Sequence, residues 1–305
     1  MKESTVSLKV DEKTYQEIKD HYSSYVIKEG KDYIDYVASF NDVIITGYLS
    51  NKAKKTIIFK GEKALEEARL FDANASLNEE IIKDDEKKSW IDIEEQIGSD
   101  EVGVGDFFLP MIVVAAYVKP SQIKKLKELG VTDSKKISDK KIREIGPELI
   151  KGFKYSKLTL TNDKYNEMIA KGENINSLKA KMHNRALANI HKDYLDIQRI
   201  YVDQFVNADK FYSYLTSDDE PIVRGIAFKT KGESWFPSVA LASVIARYAF
   251  LLEKDKLDEK YGVDFPFGSS SKVDVFAQEL AKKLPKEEFD SLVKINFKNY
   301  KKIAF

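Results

Sequence analysis

The sequence predicts an α/β protein: a mixed sheet with flanking helices, preceded by a small α+β unit. Three features of the 305 residues predict it. Short strand-like and helical segments alternate up to Phe71, a polar and charge-dense stretch follows, and from Trp90 the strands become strongly apolar with helical segments between and after them.

The first part reads in order as a strand STVSLKV, a helix DEKTYQEIKDHYS, strands YIDYVASF, DVIITGYLS and KTIIFKG, and a closing helix EKALEEARLF. Turns are expected where the strand patterns break, at Asn41-Asp42 and Ser50-Asn51, which makes these strands an antiparallel meander. The stretch DANASLNEEIIKDDEKK has the composition of a linker. The expected division is therefore a small domain at 1–71, a linker at 72–88 and a larger domain at 89–305.

In the larger part the strand candidates are QIGSDEV, FFLPMIVVAAYV, IQRIYVDQF and IVRGIAF. A helix from Ile175 to Tyr194 follows from Leu178, Met182, Ala186 and Ile190, which fall on one face at four-residue steps. A second helix, FPSVALASVIARYAFLLEKDKL, has Pro237 near its start, where a missing N–H costs nothing. Its small residues Ala240, Ala242, Ser243 and Ala246 allow close packing.

Composition narrows the chemistry. With no Cys there are no disulfides, thiolate metal sites or cysteine nucleophiles, and the three His (His21, His183, His191) are widely spaced. Any metal would need oxygen ligands. Lys plus Arg and Asp plus Glu number 50 each, so binding to a polyanion would rest on charges sorted locally. No stretch approaches the ~18 consecutive apolar residues of a membrane helix. The start MKESTVSLKVDEK lacks the apolar core of a secretory signal. A cytoplasmic monomer with no membrane association and no obligate protein partner is expected.

Two adjacent acids, Asp100 and Glu101, end an apolar strand and are followed at once by Gly103, Val104 and Gly105. Adjacent strand residues point to opposite faces, so both acids serve one site only if the chain bends or bulges there, and the glycines make a bend cheap. A surface turn with solvated acids is the competing reading. Asp203 closes the apolar run IQRIYV, and Glu233 stands in KGES after IVRGIAF. Taken singly, each also fits a cap or a loop acid. If these strands are neighbours, four carboxylates converge without His or Cys, and hard cations such as Mg²⁺ or Mn²⁺ are the match. Ser134, Lys135 and Lys136 lie in a polar loop that suits phosphate or is a solvated charge run. In the small part, Lys52, Lys54, Lys55 and Lys60 flank one strand near Tyr48 and Phe59, a pattern that fits a nucleic-acid surface or core aromatics with solvated lysines.

Taken together and in this order, GSDEVGVGDFF, VTDSKKIS, NINSLKAKMHNRAL, YVDQF, KGES and ASVIARYAFL resemble the type 2 ribonuclease H family, in its ribonuclease HIII branch. The motifs run from Ile97 to Leu252. The resemblance implies an RNase H-like fold preceded by a domain similar to the TATA-binding protein. It also implies two-metal hydrolysis of the RNA strand of RNA–DNA hybrids, leaving 5′-phosphate and 3′-hydroxyl ends. Asp100, Glu101, Asp203 and Glu233 become the metal-binding and catalytic set, with Mg²⁺ as cofactor and Mn²⁺ as a substitute. Gly103, Val104 and Gly105 would contact ribose 2′-hydroxyls, and Ser134, Lys135 and Lys136 would contact phosphates. Lys54, Lys55 and Lys60 would serve the small domain's grip on the hybrid.

The sister branch, ribonuclease HII, has Asp where this chain has Glu233, a helix acid where it reads Phe250-Leu251, and Arg where it reads Val104. Glu233 and the absent helix acid point to the ribonuclease HIII branch, and Val104 argues against cutting at a single ribonucleotide embedded in DNA. Excision of the ribonuclease HII kind and a non-catalytic hybrid-binding protein are the alternatives.

Overall fold

The computed structural model describes residues 4–29, 33–49, 54–76, 90–131 and 137–304, and the chain divides into two compact units at 1–87 and 88–305. In the first unit the elements are β1 (Ser4–Val10), α1 (Glu12–His21), β2 (Val26–Glu29), β3 (Ile34–Phe40), β4 (Val43–Tyr48), β5 (Lys55–Gly61) and α2 (Ala64–Arg69). Asp11 starts α1 by accepting from the Thr14 N–H at 2.9 Å. The strands form an antiparallel sheet in the order β1-β5-β4-β3-β2. Asn41 and Asp42 take φ of 47° and 62°, making the tight β3–β4 turn expected there. The Ser50-Asn51 turn lies outside the described residues.

Strict alternation sorts the two faces of this sheet. Val6, Leu8, Val43, Ile45, Ile57 and Phe59 are buried with Tyr15, Ile18, Ala64 and Ala68 of the two helices. Ile44, Thr46, Ile58 and Lys60 alternate with them and take the other face. Strand β2 is a four-residue edge strand with too short a pattern to be read from sequence.

The second unit contains β6 (Gln96–Val102), β7 (Met111–Val118), α3 (Ile123–Glu128), α4 (Asp139–Gly152), β8 (Tyr155–Leu160), α5 (Asn162–Ala170), α6 (Ile175–His191), β9 (Ile200–Asp203), α7 (Ala208–Ser213), β10 (Ile226–Lys229), α8 (Pro237–Tyr261), α9 (Ser271–Ala281) and α10 (Lys286–Leu292). Its sheet runs β10-β9-β6-β7-β8, with β9 and β10 parallel to β6, β7 antiparallel to β6, and β8 antiparallel to β7. This is the mixed sheet expected. Ile112, Val114, Ala116 and Val118 pack with α3, α4 and α8, while Ile97, Val113, Ala115 and Tyr117 pack with α6. Helices cover both faces of β7, which is why it reads as an unbroken apolar run. At Gly98 a Cβ would strike Ser238 and the Val239 N–H, so the missing side chain lets α8 lie directly on β6.

Several elements differ from the sequence reading. Phe107 to Pro110 form a loop rather than the start of a strand, with Phe107 and Phe108 in a core shared with α9 and α10. Helix α6 ends at His191. Strand β8 was not anticipated, because an edge strand whose residues are mostly half-buried carries little apolar alternation.

Candidate active site

Asp100 and Glu101 lie within the regular β6–β7 ladder, paired with Val114 and Val113. The bend or bulge expected there does not form. Alternation instead sends the two side chains to opposite faces of the sheet near its end. Ser99 aligns with Val202 in the parallel β6–β9 register, and one residue further on each strand are Asp100 and Asp203. Both strands thus deliver an acid at the carboxyl edge of the sheet, where ligands bind in open α/β folds. A cleft of about 430 Å³ opens there, and Asp100, Glu101 and Asp203 line it with Ser243, Asp139 and Arg247.

The surroundings of the two neighbouring acids differ. Asp100 is 8% exposed and faces α8, where Ser243 donates a hydrogen bond to it, and its Oδ1 accepts from the Glu101 N–H at 2.7 Å. Burial first, and then the nearby Glu101 and Asp203 carboxylates, push its pKa well above the ordinary carboxylate range. Glu101 faces α6. Its carboxylate is ion-paired with Lys179 and accepts from His183 Nε2 at 2.9 Å, while His183 Nδ1 is 2.6 Å from Ser99 Oγ. Burial alone would raise Glu101, but His183 and Lys179 outweigh it and hold the pKa at about 2. The Lys179 ammonium also sits 3.8 Å from the Phe205 ring centroid, and His183 stacks on the same ring.

Asp203 Oδ1 accepts from the Gly232 N–H at 2.9 Å. This ties β9 to the 3₁₀ turn Gly232–Ser234, entered through Lys231 at a left-handed φ of 57°. Glu233 belongs to that turn and is 5% exposed. It is not among the side chains lining the cleft. Among the described residues, no group of three or more His, Asp or Glu side chains is gathered closely enough to hold an ion.

The other predicted positions are mixed. Gly103 has φ +81°, and a Cβ there would run into the Pro110 carbonyl, so this turn requires glycine. A Cβ on Gly105 would meet open space. The Val104 side chain packs with Met111, Tyr165 and Leu178. Ser134, Lys135 and Lys136 lie outside the described residues, as does Lys52, although Ile137 and Asp139 just beyond the first three line the cleft. Lys55 and Lys60 are not on one patch. Five positions apart on β5, they project to opposite faces, and Lys55 pairs with Glu12 at 2.8 Å and lies over Tyr15. Phe59 is core, whereas Tyr48 stacks on Tyr33 at 6.2 Å.

Sequence reasoning missed Lys179, His183 and Arg247. Lys179 and His183 are four apart on α6, a spacing that puts both on one side of a helix. Arg247 Nε and Nη2 each donate to Asp139 at 2.9 Å, and the guanidinium lies over Phe250 and Phe267. This fixes a cation in the cleft wall.

A mixed sheet presenting acids on a cleft at its carboxyl edge fits a hydrolase acting on phosphate esters. The family described as Ribonuclease HII matches residues 97–300, and residues 5–83 match one described as Domain of unknown function (DUF3378). A Ribonuclease HIII of Bacillus mycoides (strain KBAB4) is 38% identical over 275 residues, covering 88% of this chain and 87% of that protein. One from Bacillus anthracis (strain CDC 684 / NRRL 3495) is 43% identical over 208 residues, covering 68% and 67%. The crystal structure of Bst-RNase HIII in complex with Mn²⁺ superposes with a TM-score of 0.67 at 31% identity, covering 98% of this chain and 97% of that one. The chain belongs to the type 2 ribonuclease H family, in its ribonuclease HIII branch. It is a metal-dependent endoribonuclease H, a phosphodiester hydrolase, with the fold that the sequence motifs implied. Among the described residues no helix is long and apolar enough to cross a membrane.

Proposed function

We propose that the chain hydrolyses the RNA strand of RNA–DNA hybrids, using divalent cations held by Asp100, Glu101 and Asp203 with Glu233 completing the set. The carrying observation is the Asp100 carboxyl, buried beside two further carboxylates on one cleft. Three carboxylates lining one cleft repel one another, and divalent cations with oxygen ligands are the partners that would draw them together into one ligand set. The Mn²⁺ complex of the Bst relative supports divalent ions here, with Mg²⁺ as the expected cofactor and Mn²⁺ as its substitute. Two bound ions would supply activation of the attacking water and stabilisation of the leaving 3′-oxygen, giving 5′-phosphate and 3′-hydroxyl products.

The chain's own groups bind and orient. Ser243 holds Asp100 in the cleft, and Arg247, fixed by Asp139, offers a cation to the phosphodiester backbone. Backbone atoms of Gly103, Val104 and Gly105 meet the ribose 2′-hydroxyl, which tells RNA from DNA. The inward packing of the Val104 side chain leaves its backbone to make that contact. Ser134, Lys135 and Lys136 add phosphate contacts. In the small domain at 1–71, joined through 72–88, Lys54 and Lys60 serve hybrid binding, while Lys55 braces α1. The enzyme acts as a cytoplasmic monomer.

The test is cleavage of end-labelled duplexes in Mg²⁺, with and without EDTA. Metal-dependent cutting of a continuous hybrid, with a DNA duplex bearing one ribonucleotide left intact, is the expected result. Cutting at the single ribonucleotide would make it an excision enzyme, and binding without cutting would leave a hybrid-binding protein. Lys60→Ala should weaken hybrid affinity by roughly two- to fivefold and lower the salt dependence by about one phosphate contact. Unchanged affinity and salt slope would remove that lysine from the interface.

A further inference from the structure

We propose that Lys294 is a positioning residue that holds the glycine loop after β6 in the shape that reads the RNA strand. The inference rests on the role given to that loop above. Lys294 follows α10, far from Gly103 in sequence, and its side chain is fully buried. Its Nζ donates to three backbone carbonyls, Gly103 at 3.1 Å, Asp106 at 2.5 Å and Leu109 at 2.5 Å. An ammonium has three N–H donors and no acceptor, so these carbonyls use all of it. The Lys294 backbone N–H donates to the Phe107 carbonyl at 3.0 Å, and its Nζ lies 5.7 Å from the ring centroids of both Tyr165 and Phe297.

Three carbonyl oxygens turned toward one buried point repel each other unless a donor stands there. The loop's shape therefore depends on the amine. The 103–104 peptide is trans, so a Gly103 C=O drawn inward to Lys294 sends the Val104 N–H to the opposite side. That N–H is one of the backbone groups assigned to the ribose. A second brace holds the far end of the loop, where the Gly268 N–H donates to Asp106 Oδ1 at 2.5 Å and the Phe107 N–H to the Gly268 carbonyl at 3.0 Å. At the Gly103 end, which adjoins the catalytic strand, the carbonyl accepts from the Asp106 N–H within the loop at 3.3 Å and from Lys294 Nζ at 3.1 Å, and Lys294 is the tie from this carbonyl to the segment after α10. Burial pulls the Lys294 pKa down to about 7, with Asp106 opposing. An unbranched apolar residue would fill the same slot without that cost, so the amine is there for the carbonyls it orients.

The experiment uses the full chain with Lys294→Met, which fills the slot without donors, and Lys294→Gln, which retains two N–H groups. Affinities for an RNA–DNA hybrid and for a DNA duplex of the same sequence are measured in EDTA, with kcat and KM for the hybrid in Mg²⁺. Lys294→Met should lose about tenfold of the hybrid-over-DNA preference and raise KM more than it lowers kcat, with Lys294→Gln in between. DNA-duplex affinity should stay unchanged. Folded variants that keep the wild-type preference would overturn the inference. So would failure of both variants to fold, because the lysine would then serve core stability alone. Wild-type protein with no preference for the hybrid would instead sink the role assigned to the loop, and this inference with it.

Discussion

On one face of the catalytic sheet Asp100 meets α8, a helix of small and apolar residues that offers it the Ser243 hydroxyl; on the other, Glu101 meets α6 and its Lys179 and His183. The two acids are adjacent in the chain and both are largely buried. One is nevertheless pushed far up in pKa and the other held at about 2. Burial alone therefore decides nothing about a carboxylate. What decides is whether the covering face brings cations to the carboxylate itself: Arg247, which α8 puts on the cleft, is paired with Asp139, and Asp100 is left in need of a cation from solution.

The largest effect should come from Asp100→Asn. Removing this carboxylate should lower cleavage by at least about a thousandfold, with hybrid binding retained. In metal-free buffer the same variant should melt higher than wild type, because a neutral amide avoids a buried charge among carboxylates. A raised folded pKa means that the wild-type penalty is present at neutral pH and disappears as pH falls to the ordinary value of 3.8, so the two melting curves should converge there. A variant that is inactive and less stable at every pH would make Asp100 a structural residue.

Lys179→Met comes next and acts on the opposite face. It strips a cation from a buried carboxylate, at a cost of about 3 kcal/mol. The sign with pH is reversed here. The stability that Glu101 gains from its partners is present above its ordinary value of 4.5 and is lost as pH falls toward 2. Thermal unfolding of the wild type should thus show an acid limb between these values that is shallower in Lys179→Met. Equal limbs would show that Lys179 contributes no charge to the pair.

The parts legible in the sequence are those whose signals are local. Alternating runs mark β1, β3, β4 and β5, four-step spacing marks α6, and Pro237 with the small residues after it marks α8. Asp100, Glu101 and Asp203 were visible because each ends an apolar strand, and strand ends are where sheets of this kind carry acids. The bulge expected at Asp100-Glu101 came from assuming that one site needs one face. A cleft at the end of the sheet receives side chains from both faces, so regular pairing suffices. The cations around Glu101 were hidden because Lys179 and His183 sit on a helix whose apolar face alone was read. Lys294 carries no local signal in the sequence, because its burial comes from the return of the chain past Phe107.

The smallest effects come from the two serines, one on each face, and they sharpen the comparison most directly. Ser243→Ala removes the hydroxyl that favours the charged form of Asp100, so protons should compete better with cations at that acid. Apparent Mn²⁺ affinity at neutral pH should fall by about three- to tenfold, equivalent to the ~1 kcal/mol of one typical hydrogen bond. Ser99→Ala instead removes the partner of His183 Nδ1 and leaves Lys179 and His183 on Glu101. It should cost about 1 kcal/mol of stability with little change in Mn²⁺ affinity. Calorimetric Mn²⁺ titration and thermal unfolding of both variants separate the two. If the serines prove interchangeable, shifting affinity and stability alike, then the faces of β6 are not chemically distinct and the division between an acid that only ions from solution neutralise and an acid that Lys179 and His183 already partly neutralise is wrong.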